Sequence, residues 1–357
     1  MKKVNDMRRY RQASSAPEAL MQPSPLGHSP GQPRWLPRCG WWWPWSSASL
    51  GTLGARVRAV GDRQSSNADP PKESIMSSII AFIRRHPVPA YCVLVFAISL
   101  GGCLMAMGPG GILGITPISE AQLAFVYLGS LAGPGLAGIL LTSLVHGRAG
   151  LRGLRSRLFQ CRVGVRWYAV ALLTAPLLMT AILLALSLTS PVHLPAIVTT
   201  NDKTNLLLTG IGVGLVVPIL EELGWTGFAV PALRKRHGIL ITGLIAGLLW
   251  GVWHFPLFSG AAMWNGAVPP ALYLAVLLFS WLPPYTVLMV WVHDRTQSLL
   301  LTMLMHVPIV VGVFVLVPQT LPAMAVMTFD LVFRTALWLI VAAVALSNRG
   351  RTSHATP

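Results

Sequence analysis

From about Pro89 onward, the chain is a series of apolar runs, each roughly as long as a helix must be to cross a bilayer. Crossing the hydrocarbon core takes about 20 mostly apolar residues. The runs cover residues 89–107, 121–145, 167–189, 205–233, 238–258, 271–292, 297–316 and 323–346. Because a backbone in lipid must satisfy its own hydrogen bonds, such runs form helices. We therefore predict an all-α polytopic membrane protein with about eight transmembrane helices.

The composition agrees with this class, since 54% of the residues are apolar and only 11% are charged. The formal charge of +16 would suit a nucleic-acid partner. However, the Lys and Arg residues cluster beside the apolar runs, where they act as topology signals and contact anionic headgroups. We therefore expect membrane lipids as partners and no nucleic acid.

Basic loops alternate with nearly neutral ones along the chain. The basic residues are Arg84 and Arg85 before the first run, Arg148, Arg152, Arg155, Arg157, Arg162 and Arg166 after the second, Arg234, Lys235 and Arg236 after the fourth, Arg295 after the sixth, and Arg349 and Arg351 after the eighth. Lys203 is the exception among the other loops. The positive-inside rule then puts both termini in the cytoplasm. We expect an integral protein of a bacterial inner membrane.

Three runs carry local signals. The sixth contains Pro283 and Pro284, which predict a kink or break. The fourth is longer than a bilayer needs, so it must tilt or extend beyond the membrane. The last holds Asp330 and Arg334, four residues apart and thus able to pair on one helix face.

Residues 1–75 differ from the rest of the chain. They are rich in Pro, Ser, Arg and Trp and show no apolar periodicity, which predicts a disordered, basic, Trp-bearing extension. Met76 stands just before the first run, so translation that starts there would omit this segment. Alternatively, the segment is translated and forms an arm that touches the membrane surface. Residues 76–347 are expected to form the transmembrane domain, and residues 348–357 a cytoplasmic tail.

The four cysteines show neither a CxxC pair nor zinc-type spacing with His, so no disulfide framework or cysteine-built zinc site is indicated. They are Cys39, Cys92, Cys103 and Cys161.

Glu221 and Glu222 lie side by side well inside the fourth run. An ionised carboxylate at the membrane centre costs about 2.5–3.5 kcal/mol on insertion scales, so such residues are functional by default. The plainer interpretation is a helix end whose carboxylates extend to the interface.

His254 and His306 lie within the fifth and seventh runs. At about 1.5 Å per residue from the cytoplasmic loops, Glu222, His254 and His306 lie roughly 18, 24 and 15 Å deep. In a core about 30 Å thick, these depths form one middle layer. We therefore expect these groups to line an intramembrane polar cavity, although a lone intramembrane His often serves only as a hydrogen-bond partner between helices.

Two carboxylates and two imidazoles suit hydrolysis, because a carboxylate beside a His can take a proton from water and a second His can support an oxyanion. The same residue types also bind zinc, and Glu222, His254 and His306 would be the ligands. The spacing alone does not choose between these chemistries, and no cofactor is firmly implied.

Three short motifs follow one another in this part of the chain. Their residues are Glu221, Glu222, Trp225 and Gly227 in the first, Trp250 and His254 in the second, and His306 in the third. Over residues 205–315 this pattern resembles the CPBP family of intramembrane proteases. These are the CAAX-type, or type II prenyl, endopeptidases, found in bacteria also as bacteriocin-processing or immunity proteins.

The resemblance implies that Glu221 activates the attacking water with help from His254, and that His306 supports the oxyanion. The sequence departs from the family pattern at three positions: Thr226 stands in place of Arg, Trp250 in place of Phe, and Val310 in place of Asn or a similar polar residue. Val cannot donate a hydrogen bond, and Thr cannot make the forked, charged contacts of Arg.

The resemblance thus implies a metalloendopeptidase-like hydrolase that cleaves a hydrophobic or prenylated peptide. One alternative is a catalytically weak or inactive relative that binds membrane peptides or partners. Another is a proton or metal transporter, against which the absence of a visible inverted repeat argues.

Overall fold

The computed structural model describes residues 75–112, 115–258, 269, 275–276, 279–318 and 321–352. Every described residue belongs to one compact unit, residues 68–357. The predicted N-terminal extension, up to residue 74, and the last five residues of the predicted tail lie outside the described part of the chain.

Every described element is helical. In chain order they are α1 (Ile75–Arg85), α2 (Pro87–Ile112), α3 (Glu120–Leu158), α4 (Val165–Ser187), a 3-10 turn (Pro191–His193), α5 (Ala196–Thr199), α6 (Lys203–Glu222), a π-helix (Trp225–Ala229), α7 (Val230–Arg234), α8 (Ile239–Phe258), α9 (Leu282–Thr296), α10 (Leu299–Val315) and α11 (Ala323–Thr352). The described ranges contain no strand, so the prediction of an all-α polytopic protein is confirmed.

Among the described residues, five helical segments are long and apolar enough to cross a membrane: Pro87–Ile112, Glu120–Leu158, Val165–Ser187, Lys203–Arg234 and Met324–Ser347. Two shorter apolar helices are Ile239–His254 and Leu299–Val315. Helix α9 begins within the sixth run and extends a few residues past its end. Residues 271–274 and 277–278 of that run lie outside the described structure. Helix length alone thus supports five of the eight predicted spans. The other three correspond to α8, α9 and α10, of which α9 and α10 have only 15 and 17 residues.

The local signals in the sequence have clear structural outcomes. A turn at residues 280–281 precedes α9, whose first turn contains Pro283 and Pro284, so the predicted break is confirmed. The Nη2 atom of Arg334 lies 2.8 Å from Oδ2 of Asp330, which confirms the predicted pair. Among the described cysteines, Cys92, Cys103 and Cys161 are free.

Glycines allow close contact between α6 and α10 and between α8 and α9. On α6, a Cβ at Gly214 would run into the side chain of Val311 on α10. On α8, a Cβ at Gly247 would lie 2.5 Å from the Cα of Pro283 at the start of α9. Small residues at such crossings let backbones approach closely, as is typical of helix packing in membranes. These contacts pack α6 against α10 and α8 against α9.

Candidate active site

Helix α6 ends at Glu222, directly at the carboxylate pair, and the chain continues through a π-helical turn. The N–H of Ala229 donates to the carbonyl of Gly224 over 3.0 Å, which is the five-residue step of a π-helix. A Cβ at Gly224 would collide with the carbonyl of Pro134 and the hydroxyl of Tyr91. Glycine is therefore required at this close approach, and π-helical turns are frequent at functional sites.

Glu222 has a partner for each of its carboxyl oxygens. The Oε1 atom lies 2.9 Å from Nδ1 of His306 on α10, and Oε2 accepts a hydrogen bond from the hydroxyl of Thr226. Only 1% of the Glu222 side chain and 3% of the His306 side chain are exposed. The first and third motifs are thus joined directly, and Thr226 contributes a neutral donor where the family pattern has a cation.

Glu221 is fully buried, and its two carboxyl oxygens differ. The indole N–H of Trp250 on α8 donates to Oε2 over 2.6 Å. The Oε1 atom has no hydrogen-bond donor among the residues that the structure describes. A buried acceptor left in this way is costly, so Oε1 is well suited to accept a hydrogen bond from a water molecule or a substrate.

His254 is half-buried on α8, with Nδ1 3.0 Å from the carbonyl oxygen of Trp250. A carbonyl oxygen can only accept, so Nδ1 carries the proton and Nε2 is the basic nitrogen of the neutral ring. The ring centroid of Trp250 lies 5.5 Å from that of His254 and 5.0 Å from that of His306. Both predicted histidines therefore flank the tryptophan that binds Glu221.

Val310 follows His306 by one helical turn on α10. It is half-buried and packs against the main apolar core. Its side chain has no group to donate, so the polar contact that the family pattern places here is missing.

The sequence did not show how two further residues contribute to the site. Trp250 stood in the second motif as a replacement for Phe, but nothing in the sequence indicated that its indole N–H binds a glutamate. Arg157, in the last turn of α3, donates from Nη2 to the carbonyl of Gly227 in the π-helical turn over 2.8 Å. It is one of six arginines in the same basic loop, and nothing in the sequence distinguishes it.

Glu222, His254 and His306 are the residues that would hold a zinc ion. Within the described ranges, no group of three or more His, Cys, Asp and Glu side chains is arranged to hold one metal ion. This ligand set therefore stays a prediction.

The polar cluster itself is tightly packed, since Glu221, Glu222 and His306 are at most 3% exposed. A separate cavity of about 270 Å³ lies at the opposite end of α6. It is lined by Thr200, Asp202, Asn205, Leu206, Thr209 and Phe314. From Thr209 to Glu221 the helix rises roughly 18 Å, so this cavity is remote from the glutamates.

An all-helical membrane protein with buried carboxylates and imidazoles on adjacent helices is the class that the fold and site define. Residues 203–311 match a family model described as Rce1-like, type II CAAX prenyl endopeptidase Rce1-like. This segment contains both glutamates and both histidines of the site. The match to the family model confirms the resemblance to CPBP-family proteases.

A curated relative supports the same family. CAAX prenyl protease 2 of Methanococcus maripaludis is 26% identical over 94 residues. The match covers 26% of this chain and 35% of the relative. The chain therefore spans about a third of the length of that relative.

Proposed function

We propose that the protein is an intramembrane endopeptidase in which Glu221 activates the water that attacks a peptide bond. The observation that carries this proposal is the asymmetry of the Glu221 carboxyl group. One oxygen is bound to Trp250, and the other is buried with no donor among the described residues. An oxygen held in that state can accept the proton of a water molecule that approaches the substrate.

His254 supports this step as a second base. With Nδ1 donating to a backbone carbonyl, its Nε2 can accept a hydrogen bond from the same water and orient it. The family resemblance assigns the same auxiliary role to this residue.

His306 is assigned to the oxyanion. When both ring nitrogens are protonated, Nδ1 donates to Glu222 and Nε2 has a proton to donate to the developing oxygen anion. The Glu222 carboxylate stabilises the cationic ring, and Thr226 orients Glu222.

The reaction is then an ordinary hydrolysis. Water gives a proton to Glu221, and its oxygen adds to the substrate carbonyl to form a tetrahedral oxyanion. Collapse of this intermediate breaks the C–N bond, and the departing nitrogen takes the proton from Glu221. A carboxylic acid and an amine leave the site.

The substrate class follows from location and family. A site buried among membrane helices favours hydrophobic or prenylated peptides, and the named relative is a CAAX prenyl protease. We propose a bacterial inner membrane as its location, and the alternating basic loops support a cytoplasmic position for both termini.

The test is cleavage of a prenylated or hydrophobic reporter peptide by the purified full chain in detergent and in proteoliposomes. Glu221→Gln should abolish cleavage, whereas Glu120→Gln, which alters an exposed glutamate at the start of α3, should preserve it. Unchanged cleavage by Glu221→Gln would overturn the proposal.

A second candidate, a relative that binds peptides without cutting them, is favoured by the missing donor at Val310. Saturable peptide binding by a parent protein that never cleaves would support it. Proton or metal flux in liposomes would instead indicate the transporter.

A further inference from the structure

We propose that Trp250 is a positioning residue for Glu221, an inference that rests on the proposed function. Its indole N–H donates to Oε2 of Glu221 over 2.6 Å. Trp250 is 3% exposed and Glu221 is fully buried, so this contact is shielded from water. Hydrogen bonds to an ionised group are about twice as strong as neutral ones, and a buried environment strengthens them further.

The donor is held rigidly in place. The Trp250 ring meets His306 edge-on, with centroids 5.0 Å apart and planes at 80°. It also packs against Trp281, with centroids 6.3 Å apart. A carboxylate anchored at one oxygen by a fixed donor has lost its freedom to rotate. Its second oxygen therefore keeps one direction.

Trp250 contacts three groups of the site through three different parts of the residue. Its indole N–H donates to Glu221, its backbone carbonyl accepts from Nδ1 of His254, and its ring packs against the ring of His306. Replacing it with Phe keeps the carbonyl and an aromatic ring but removes the N–H. Trp250→Phe thus isolates the hydrogen bond to Glu221, and the family resemblance puts Phe at this position.

Trp253 provides a matched control on the same helix. It is 2% exposed, and its indole N–H donates to Oγ of Ser99 over 2.9 Å, away from the glutamates. Its ring centroid lies 4.7 Å from that of His254. Trp253→Phe and Trp250→Phe therefore make the same chemical change, and each keeps an aromatic neighbour for His254. Only Trp250→Phe removes a hydrogen-bond donor from a glutamate.

The kinetic test compares these two variants with the parent on the reporter peptide. Trp250→Phe should lower kcat by about 10- to 100-fold, because it removes a hydrogen bond that holds a charged reacting group in place. KM should stay nearly unchanged, because the indole N–H contacts Glu221 and not the substrate. Trp253→Phe should keep kcat close to the parent value. Equal kcat losses in the two variants would overturn the proposal.

A second measurement works even in a protein that does not cleave. Thermal unfolding is followed for the parent, Trp250→Phe, Glu221→Leu and the double variant. Trp250→Phe should lower Tm clearly in the parent. It should lower Tm much less in the Glu221→Leu background, where the indole N–H has already lost its acceptor. Additive Tm shifts would show that the two residues are not coupled and would overturn the proposal.

The two measurements separate the hypotheses. If the parent cleaves nothing and the Tm shifts are non-additive, the proposed function is wrong, but the anchoring of Glu221 by Trp250 is supported. If the parent cleaves, the Tm shifts are additive and the two variants lose kcat equally, the proposed function stands and the proposed role of Trp250 is wrong.

Discussion

The Nδ1 atom of His306 lies 2.9 Å from Oε1 of Glu222, across 84 residues of sequence. The bond joins α6 to α10 in a part of the protein where both side chains are almost completely buried. Removing one partner of such a pair leaves a polar group without compensation, whereas replacing both partners with apolar residues is much less harmful.

This relationship predicts a specific pattern of stabilities. His306→Leu should lower the free energy of unfolding by about 3–5 kcal/mol, because the Glu222 carboxylate stays buried beside a neutral hydroxyl. The double change Glu222→Leu with His306→Leu should lose less than the two single losses combined. Equilibrium unfolding in detergent measures all three variants. If the loss of unfolding free energy in the double variant equals the sum of the two single losses, the two side chains do not interact directly.

The turn after the glutamates should tolerate no side chain at Gly224. Gly224→Ala places a Cβ against the Pro134 carbonyl and the Tyr91 hydroxyl, so we expect a loss of about 1–3 kcal/mol and loss of cleavage. Gly212→Ala on α6 is the control, since a Cβ there meets nothing within 4 Å. Thermal unfolding should distinguish the two. Similar Tm values for both variants would show that the contact at Gly224 is not tight.

Arg157 should stabilise the π-helical turn from the C-terminal end of α3. Arg157→Gln removes a donor from the Gly227 carbonyl and should cost about 1–3 kcal/mol of unfolding free energy. Arg155→Gln changes an exposed arginine two residues earlier and should be nearly neutral. Chemical unfolding and reporter cleavage provide the measurements. Equal unfolding free energies and equal cleavage rates in the two variants would show that Arg157 does not support the site.

Val310→Asn should raise the cleavage rate. The change puts a donor one helical turn after His306 on the same face of α10, where it can reach the oxyanion. One such donor is worth up to about 10²–10³ in kcat in well-studied hydrolases. Adding Glu221→Gln should abolish whatever is gained. A rate that does not rise, or that survives loss of Glu221, would contradict the assigned roles.

The membrane topology has its own test. Single cysteines placed at Gly110 and Ala196 should react with an impermeant thiol reagent added outside intact cells. Cysteines at Gly153, Arg236 and Thr296 should be protected, because the positive-inside rule predicts that the basic loops face the cytoplasm. The parent for this experiment has its native cysteines replaced by serine. Outside labelling at Gly153 would overturn the predicted orientation.

Much of this protein could be predicted from the sequence because hydrophobicity is a property of each residue and its near neighbours. Apolar runs of spanning length predicted the helices, and Pro283 with Pro284 predicted a kink or break in the sixth run. The glutamate pair stood out because charged residues are rare inside such runs. Depth counted along the helices then added both histidines to the candidate site, and motif order supported the family resemblance.

The pairing of individual atoms was decided only by the tertiary structure. His306 with Glu222, Trp250 with Glu221 and Arg157 with Gly227 each join elements that are far apart in sequence. Depth counted along a helix places residues in one layer but leaves the rotation of each helix open. That rotation is set by packing between helices, through close contacts such as those of Gly214 and Gly224. It determines which carboxyl oxygen is bound and which remains available.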